Sequence, residues 1–484
     1  MLIRSYSTLV RPLRVAIVGS GPAGFYTAYR IMSKIPDGQV IVDMYERLPV
    51  PFGLSRYGVA PDHPEVKNCE EKFEEVAGSN NFRFYGNIEI GTSPKADSSG
   101  FHANSLELSV LQDNYDATVL AYGASADNQL PIPGADLEGV LSARSFVGWY
   151  NGHPDLSSLD IGSILRNAQD AVIIGHGNVA LDVARMLLKP VDSLRGTDIG
   201  SHALAALAES SIRRVRIVGR RGPGQVSFTN KEVRELMNLA SQDAEIDFVC
   251  AEKDAQALAT LAASTGLSRV QKRFVQIIQK VPAHPTEPSY DLLPRKKAFS
   301  VEYFLSPAGF STISPNSTHV STAQLAETEY IPNADPVNKA SRVALTGKIL
   351  DIPCTAAFLS IGYDTRPLSG AEHLYTRNSE SPQIAHGLYA AGWIRRGPTG
   401  VIADTMADAF MVGDLIVKDL LSSPSADGKE GWMAAKSHLQ PGDARVVSWK
   451  DWKTIDAYEQ QLGLQNGKVR EKLVTVKSMF DILD

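Results

Sequence analysis

Cysteine is scarce in this sequence, with three residues among 484, at Cys69, Cys250 and Cys354. No two of them are close enough in sequence to form a C-x-x-C pair. A redox-active dithiol, a zinc ribbon and a ferredoxin-type iron–sulfur cluster therefore all lack ligands. We expect no metal site, and any electrons that this protein moves must travel through bound cofactors.

Long apolar runs and a strong net charge are also missing. No run approaches the length needed to cross a bilayer, which leaves a soluble protein or one bound peripherally at a membrane. The formal net charge of −6 is mild, so bulk electrostatics do not favour nucleic-acid binding. A chain of 484 residues is too long for one ordinary core, and we expect two or three domains.

Acidic residues are absent from the N-terminal stretch of the chain, since the first one in the sequence is Asp37. Residues 1–13 carry Arg4 and Arg11 together with serines. A basic, serine-bearing and acid-free leader is typical of a mitochondrial transit segment. The alternative is a frayed basic terminus.

Two glycine turns stand out in what the sequence does contain. Residues 19–24 read Gly-Ser-Gly-Pro-Ala-Gly and follow the apolar strand 14–18. Residues 175–180 read Gly-His-Gly-Asn-Val-Ala, follow the apolar strand 171–174 and lead into a helix over 178–188. Strand, glycine turn and helix together place a pyrophosphate on helix N-terminal amides. The alternative for each is a purely structural turn in an α/β protein.

The residues that follow each unit differ in charge. The strand 39–45 ends at Glu46, 22 positions beyond Gly24, where a carboxylate can accept hydrogen bonds from both ribose hydroxyls of FAD or NAD. The strand 215–218 ends instead in Gly219-Arg220-Arg221. Two guanidinium groups match a 2′-phosphate, so we interpret the second nucleotide as NADPH. The alternative is a pair of solvated surface arginines.

The gap between Gly177 and Arg220 is 43 residues, longer than the usual spacing of about 20. We attribute the excess to a detour over 189–211. A third motif, Gly392-Trp393 followed by a glycine turn and a helix over 400–420, suits the other end of FAD. That helix would point its amides at the pyrimidine edge of the flavin ring. Trp393 is alternatively a simple buried aromatic.

Between these motifs we predict a strand over 105–112, an amphipathic helix over 268–280 and β-hairpins with long loops over 282–345. Strands that end in Gly123 and Gly362 are candidate crossover points. The resulting α/β fold class has two Rossmann-like dinucleotide domains, one inserted in the other. The FAD-binding domain takes residues 14–125 and 350–484, and the NADPH-binding domain takes 126–349.

Several longer motifs resemble those of the adrenodoxin reductase family, the mitochondrial NADPH:ferredoxin oxidoreductases, and most of all a fungal-type member. Together they span nearly the whole chain after the leader. The matching stretches are Gly-Ser-Gly-Pro-Ala-Gly-Phe-Tyr at 19–26, Pro-Phe-Gly-Leu-Ser-Arg-Tyr-Gly-Val-Ala-Pro-Asp-His-Pro at 51–64, Gly-Asn-Val-Ala-Leu-Asp-Val-Ala-Arg at 177–185, Gly-Arg-Arg-Gly-Pro at 219–223 and Arg-Gly-Pro-Thr-Gly-Val-Ile at 396–402.

The resemblance implies a glutathione-reductase-like fold that binds FAD and NADPH and passes electrons to a [2Fe–2S] ferredoxin. It also implies a location in the mitochondrial matrix, either free or against the inner membrane. Cytochrome P450, haem A and iron–sulfur assembly systems are the pathways that such a ferredoxin feeds, and the sequence does not select among them.

The resemblance also assigns individual residues. Those expected to contact FAD are Gly19, Gly21, Ala23, Gly24, Glu46, Leu54, Ile90, Trp393, Gly400, Val401 and Ile402. Those expected to contact NADPH are His176, Gly177, Asn178, Val179, Arg220, Arg221, Glu232 and Gly400. One departure is His176, where the family commonly has glutamine. We expect binding to survive with some pH dependence, because histidine can still donate one hydrogen bond.

Asp182 and His63 resemble family residues near the cofactors and the partner side. We hypothesise that they form a hydrogen-bonded pair that helps to balance protons during catalysis or to dock the partner. The alternative is two ordinary polar residues that satisfy their own hydrogen bonds. Arg269, Lys272 and Arg273 are the candidate docking residues for an acidic ferredoxin. Their alternative is a solvated helix face.

Three other functions remain open from the residues alone. One is an FAD- and NADPH-dependent monooxygenase, and another is a glutamate synthase-like reductase subunit, against which the missing cluster-ligating cysteines speak. The third is a catalytically silent NADPH sensor that binds partners.

Overall fold

The structure is a computed structural model that describes residues 11–92, 96, 100–243, 245–281, 297–375, 379–422 and 428–484. The first ten residues of the predicted transit segment lie outside the described residues. From Arg11 onward the chain is held, because the guanidinium of Arg11 donates to both carboxylate oxygens of Asp116 at 2.8 and 2.7 Å.

Strands occur in both halves of the chain and along its central insertion. In chain order they are β1 (Leu13–Val18), β2 (Val40–Tyr45), β3 (Phe82–Tyr85), β4 (Ile88–Ile90), β5 (Asn104–Leu106), β6 (Ala117–Leu120), β7 (Ala126–Asp127), β8 (Val140–Ser142), β9 (Asp170–Ile174), β10 (Arg214–Val218), β11 (Ile246–Val249), β12 (Lys297–Glu302), β13 (Leu305–Thr312), β14 (Val320–Tyr330), β15 (Val343–Pro353), β16 (Ala356–Leu359), β17 (Tyr363–Asp364), β18 (Gln383–Ala385) and β19 (Leu388–Ala390).

Helices connect most of the parallel strands. In chain order they are α1 (Pro22–Lys34), α2 (Leu54–Tyr57), α3 (Cys69–Ala77), α4 (Leu108–Asn114), α5 (Ala143–Tyr150), α6 (Ile161–Asn167), α7 (Asn178–Leu188), α8 (Ser201–Ala208), α9 (Asn230–Gln242), α10 (Glu252–Ala263), α11 (Arg269–Gln279), α12 (Trp393–Arg396), α13 (Ile402–Ser422), α14 (Trp432–Ala435), α15 (Trp449–Gln465) and α16 (Val476–Asp481). Among the described residues, none of these helices is long and apolar enough to cross a membrane.

The first sheet has the strand order β18-β19-β6-β1-β2-β3, with β1 parallel to both β2 and β6. Val15 and Ile17 of β1 are fully buried, because α1 and α13 cover that face of the sheet. Ala16 and Val18 point to the opposite face, where β4, β5 and α4 close a second cluster. A strand buried on both faces is apolar throughout, as the run from Val15 to Val18 is. We call the part of the chain built on this sheet the first unit.

The second sheet has the order β11-β12-β10-β9-β16-β8, and its neighbouring strands pair in parallel. Helices including α5, α7 and α9 bury one of its faces. The antiparallel sheet β13-β14-β15 covers the other face, where Leu305 and Leu325 pack with Val172 and Ile174. This second unit therefore has its own core, as a separate dinucleotide-binding domain would.

The chain passes between the units through a two-stranded antiparallel ribbon, in which Asp127 of β7 pairs with Tyr363 of β17. The second unit is thus inserted into a discontinuous first unit, which confirms the predicted fold class. The boundary predicted at residue 350 is wrong, because β16 pairs in parallel with β9 inside the second sheet. The return to the first unit follows the second strand of the ribbon, near the crossover expected at Gly362.

Another sequence prediction fails at residues 105–112. The strand there ends at Leu106, and the helix α4 begins at Leu108. Leu108 and Leu111 are both buried at a spacing of three residues, which is the spacing of a helix face and not of a strand.

Candidate active site

The first glycine turn connects β1 to α1. Gly19 has φ 104°, a conformation that favours glycine, and its amide donates to the carbonyl of Tyr45 at 2.8 Å. A Cβ on Gly24 would collide with the carbonyl oxygen of Gly19, so α1 can approach the strand only with glycine there. Gly21 differs, because no described atom lies within 4 Å of where its Cβ would stand.

Gly21 is also the N-cap of α1, and no side chain of the described residues caps the helix at this position. The first amides of α1 are therefore open to an anion. Glu46 lies beside the turn, because its Oε2 accepts from the amide of Ser20 at 3.0 Å and from the Ser20 hydroxyl at 2.7 Å. The predicted carboxylate thus borders the predicted phosphate cradle.

The motif around Trp393 packs directly against this turn. A Cβ on Gly392 would stand 2.5 Å from the Cβ of Ala23, and the amide of Gly392 donates to Asp408 at 2.6 Å. The Trp393 ring lies 5.5 Å from the Tyr363 ring, centroid to centroid. Its buried Nε1 has no hydrogen-bond partner among the described residues, which leaves a donor for another group.

The other predicted FAD residues lie on three further segments, of which that of Leu54 reaches the same turn. Leu54 begins α2 directly after Gly53, whose Cβ would stand 3.1 Å from the Cα of Gly21. Ile90 is 4% exposed at the end of β4. The segment Gly400, Val401 and Ile402 leads into α13, and the Val401 amide donates to Asp404 at 2.9 Å.

The second glycine turn connects β9 to α7 and has the same open geometry. Gly177 is the N-cap of α7, no capping side chain is present there among the described residues, and no described atom lies within 4 Å of its would-be Cβ. Asn178 ties the turn to α9, because its Oδ1 accepts from the Thr229 amide at 2.8 Å. Val179 packs half-buried against the core of the second unit.

His176 fills the space left by a glycine. A Cβ on Gly219 would collide with the His176 ring, which also lies 6.0 Å from the Phe228 ring and 5.4 Å from the Tyr303 ring. Burial lowers the pKa of His176 to about 4. The ring is therefore neutral at physiological pH, and any pH dependence that it causes belongs below about pH 5.

The two arginines predicted for NADPH follow Gly219 at the end of β10. Arg220 is exposed, and Arg221 is half-buried with its Nη1 donating to the carbonyl of Lys339 at 3.0 Å. The second glycine turn is thus bordered by cations where the first is bordered by Glu46. The segment with the helix α8 occupies the detour that lengthens the spacing to these arginines.

A dense cluster of charges lies where α7 and α9 meet the loop before α3. We call it the acid–base cluster, and its members are Asp62, His63, Asp182, Arg185, Glu232 and Glu235. Arg185 is 2% exposed and stands at the centre, donating to Asp62 at 2.7 Å, to Asp182 at 2.7 Å and to Glu232 at 3.3 Å. Its single charge offsets part of the repulsion among the four carboxylates, and Lys189 adds a second cation at 3.1 Å from Asp62.

The predicted pairing of His63 with Asp182 is wrong. The Nε2 of His63 instead lies 2.5 Å from Glu235 Oε2, and Asp182 accepts from Arg185. The structure does bring the predicted residues together. A ring nitrogen of His63 and carboxylate oxygens of Asp182 and Glu232 all lie within 4.8 Å of one another.

Sequence reasoning missed Arg185, Asp62 and Glu235. A signal for Arg185 was present, since it lies on the apolar face of α7 three residues after Asp182, where an unpaired cation would be costly.

The cluster separates the pKa values of its carboxyl groups. Burial raises the pKa of Glu232 to about 7, and the nearby charge of Asp182 adds to that increase. Burial acts in the same direction on Asp62, but the hydrogen bonds and charge of Arg185 outweigh it and lower the pKa of Asp62 to about 2. One carboxyl group is thus able to hold or release a proton near neutral pH, while its neighbour stays ionised.

The helix α11 presents the three predicted docking residues on its exposed side: Arg269, Lys272 and Arg273. Its opposite side is buried. The side chain of Gln271 donates from there to the carbonyl of Val337 at 2.7 Å. The amphipathic helix expected over 268–280 is therefore present, with its basic face open to solvent.

The thiols take no part in these sites. Burial raises the pKa of Cys69 and of Cys354 to about 12, and that of Cys250 to about 11. Each thiol therefore stays protonated at neutral pH and is a poor nucleophile.

Two open glycine turns, each on parallel strands of its own sheet, define a protein that binds two dinucleotides. In agreement, residues 13–259 match the family model described as pyridine nucleotide-disulphide oxidoreductase. Similar structures include FprA, a Mycobacterium tuberculosis oxidoreductase, with a TM-score of 0.83 and 32% identity over 98% of this chain and 99% of that one. Another structure, M. tuberculosis FprA in complex with NADPH, has a TM-score of 0.81.

The particular family follows from curated relatives. The human mitochondrial NADPH:adrenodoxin oxidoreductase is 38% identical over 99% of this chain and 93% of its own length. A relative from Schizosaccharomyces pombe is 39% identical over 99% of this chain and 97% of its own length. The chain belongs to the NADPH:adrenodoxin oxidoreductase family, as its motifs indicated.

The protein is accordingly an NADPH-dependent oxidoreductase that binds FAD and NADPH. Its turns fit both cofactors, because the second glycine of each turn, Gly21 or Gly177, leaves open the space that a pyrophosphate needs. This family membership supports neither the hypothesis of a catalytically silent NADPH sensor nor that of a monooxygenase.

Replacing the second glycine of each turn with alanine should weaken the binding of one cofactor at a time. Gly21→Ala is expected to lower FAD affinity at least tenfold, because its new methyl group would stand in the first cradle. Gly177→Ala is expected to stay yellow and to need at least tenfold more NADPH for half-maximal reduction of its flavin. FAD content and NADPH titration would be measured on both variants.

Each variant is the control for the other, since neither new Cβ meets a described atom and neither glycine has a positive φ. Full FAD content in Gly21→Ala, or loss of FAD from Gly177→Ala, would contradict the assignment of the turns.

The raised pKa of Glu232 predicts a pH-dependent stability. A carboxyl group whose pKa rises from 4.5 to about 7 on folding stabilises the protein fully below pH 4.5. That stability is lost as the pH increases through 7. Relative to Glu232→Gln, the native protein should lose on the order of 2 kcal/mol of unfolding free energy between about pH 4.5 and 7.5.

Urea unfolding at several pH values measures this difference. The exposed Glu209, whose carboxylate accepts from Arg166 at 3.0 Å, provides the control substitution Glu209→Gln with the same change of charge. Parallel pH profiles for the native protein and Glu232→Gln would refute the raised pKa.

Proposed function

We propose that this protein carries electrons from NADPH through FAD to a [2Fe–2S] ferredoxin in mitochondria. The observation that carries the proposal is the opposite charge beside the two open turns, with Glu46 at the first and Arg220 and Arg221 at the second. FAD supplies the chemistry when bound, since it accepts a hydride from NADPH and releases electrons one at a time.

The first unit would hold FAD along its glycine turn. Glu46 would exchange its hydrogen bonds with Ser20 for the ribose hydroxyls of the adenosine half. Trp393 would lie against the flavin end, with Gly400, Val401 and Ile402 at the start of α13 facing the pyrimidine edge. The described contact of Gly392 with Ala23 supports this, because it places the third motif against the turn that receives the pyrophosphate.

The second unit would hold NADPH along α7. Gly177 and the first amides of the helix would bind the pyrophosphate, and Arg220 and Arg221 would bind the 2′-phosphate through charge-assisted hydrogen bonds. The acid–base cluster lies along α7, at Asp182 and Arg185, and contacts the first unit through Asp62. Glu232, with a pKa of about 7, is the group there best suited to hold or move a proton near the nicotinamide.

The acceptor is inferred from the basic face of α11 and from the relatives. Arg269, Lys272 and Arg273 form one exposed cationic face, which complements an acidic protein. The curated relatives are named for adrenodoxin and for the mitochondrion. A mitochondrial matrix location also agrees with the composition of the leader, residues 1–13.

Anaerobic titration tests this function. The purified yellow protein should bleach with NADPH and regain its colour on addition of a mitochondrial [2Fe–2S] ferredoxin, which becomes reduced in turn. Bleaching without any transfer to the ferredoxin would overturn the proposed acceptor. Failure of NADPH to bleach the flavin would overturn the proposed function altogether.

Charge reversal on α11 tests the docking face. Arg273→Glu should slow ferredoxin reduction about tenfold at low salt and weaken its salt dependence, while ferricyanide reduction is unchanged. Lys418→Glu makes the same change of charge on the exposed side of α13 and should leave both rates unchanged. An equal loss with both acceptors, or an equal effect of Lys418→Glu, would refute docking on α11.

A further inference from the structure

One segment of the first unit touches the surroundings of both glycine turns. We call residues 52–63 the bridging segment. At its start, the amide of Phe52 donates to the carbonyl of Ser20 in the first turn at 3.0 Å. At its end, Asp62 accepts from Arg185 on α7, the helix that begins at the second turn. The conformation of this segment therefore relates one cofactor turn to the other.

The bridging segment begins with a strained residue. Phe52 has φ 85°, which a bulky side chain rarely adopts, so the surrounding packing must hold it. Its ring packs with those of Phe25 at 5.6 Å and Trp452 at 5.8 Å, centroid to centroid. Strain of this kind persists only where the position of the backbone is fixed from several sides.

Asn151 fixes the middle of the segment from the second unit. It directly follows α5 and is 0% exposed. Its Nδ2 donates to two carbonyls of the bridging segment, that of Tyr57 at 3.2 Å and that of Val59 at 3.1 Å. Both hydrogen bonds of the amide nitrogen thus go from the NADPH-binding unit to the segment beside the FAD turn.

The orientation of the Asn151 amide is set by a lysine. Lys472 donates to Asn151 Oδ1 at 3.4 Å, and its Nζ lies 2.8 Å from Asp198 Oδ2. Lys67, just beyond the bridging segment, lies 2.5 Å from the same oxygen of Asp198. Burial lowers the pKa of Lys472 to about 7, but its Nζ still donates to Asn151 Oδ1 and to the carbonyl of Asp198. A donor beside the amide oxygen turns the amide nitrogen toward the two carbonyls.

We propose that Asn151 is a positioning residue for hydride transfer, holding the bridging segment so that the bound flavin and nicotinamide meet at reacting distance. This inference rests on the proposed function. Asn151 touches neither cofactor turn, so it would act through Tyr57 and Val59. Hydride transfer depends steeply on such placement, since a misplacement of about 1 Å can cost about a hundredfold in rate.

The chain offers a matched control in Asn104. That residue is 4% exposed, its Nδ2 donates to the carbonyls of Asn87 and Ala444 at 2.9 Å each, and its Oδ1 accepts from the Gly442 amide at 3.0 Å. It therefore has the same set of hydrogen bonds as Asn151, but all of them lie within the first unit.

The experiment compares Asn151→Asp and Asn151→Ala with Asn104→Asp and Asn104→Ala as FAD-loaded proteins. Aspartate keeps the shape of asparagine but turns a second acceptor toward the two carbonyls, and alanine removes the donor. Rapid anaerobic mixing with NADPH gives the limiting rate of flavin bleaching and the NADPH concentration at half-saturation. FAD content and melting temperature are measured alongside.

Both Asn151 variants should bleach at least tenfold more slowly at saturating NADPH, with FAD content and half-saturation within about twofold of the native protein. The Asn104 variants should melt at lower temperature but bleach at the native limiting rate. Native rates in the Asn151 variants would overturn the proposal, as would equal slowing in the Asn104 variants. Failure of both Asn151 variants to fold would assign the residue to stability and overturn it too.

The behaviour of the native protein distinguishes failure of the proposed function from failure of the positioning role of Asn151. If NADPH does not bleach the native flavin, the proposed function fails before any variant is compared. If the native protein bleaches and the Asn151 variants bleach equally fast, the function stands and only the positioning role fails.

Discussion

In the proposed function, the charge at the end of one strand in each unit decides which dinucleotide that unit holds. Both glycine turns offer the same open backbone amides, so the turns alone do not discriminate. Glu46 would disfavour a phosphate on a ribose beside it, whereas Arg220 and Arg221 would favour one.

Electron transfer also needs the two units at a fixed separation, and buried ion pairs connect them. Arg185 joins α7 to Asp62 of the first unit, and Lys189 adds a second cation at 3.1 Å from the same carboxylate. Removing a buried cation would leave carboxylates unpaired, which typically costs more than the pair contributes. The junction is thus sensitive to single charges, and it is also where the pKa of Glu232 reaches about 7.

Much of this fold could be predicted from local patterns, because buried parallel strands and glycine turns have strong sequence signals. The helix expected over 178–188 is present at Asn178–Leu188, and β10 ends where the arginines begin. Strand pairing is not local, so β16 was assigned to the wrong unit although its existence was predicted. Likewise, the partner of His63 comes from α9, a helix distant in sequence, and no spacing rule could have revealed Glu235. Arg185 differs, because it lies three residues after Asp182 on the same helix and was within reach of a local pattern.

The central claim is tested most directly by comparing NADPH with NADH as reductants of the bound flavin, in the native protein and in a variant with both Arg220→Ala and Arg221→Ala. We predict a preference for NADPH of at least about a hundredfold in the native protein, from two charge-assisted hydrogen bonds. The variant should lose that preference and keep its rate with NADH. Equal use of both nucleotides by the native protein, or an unchanged preference in the variant, would contradict it.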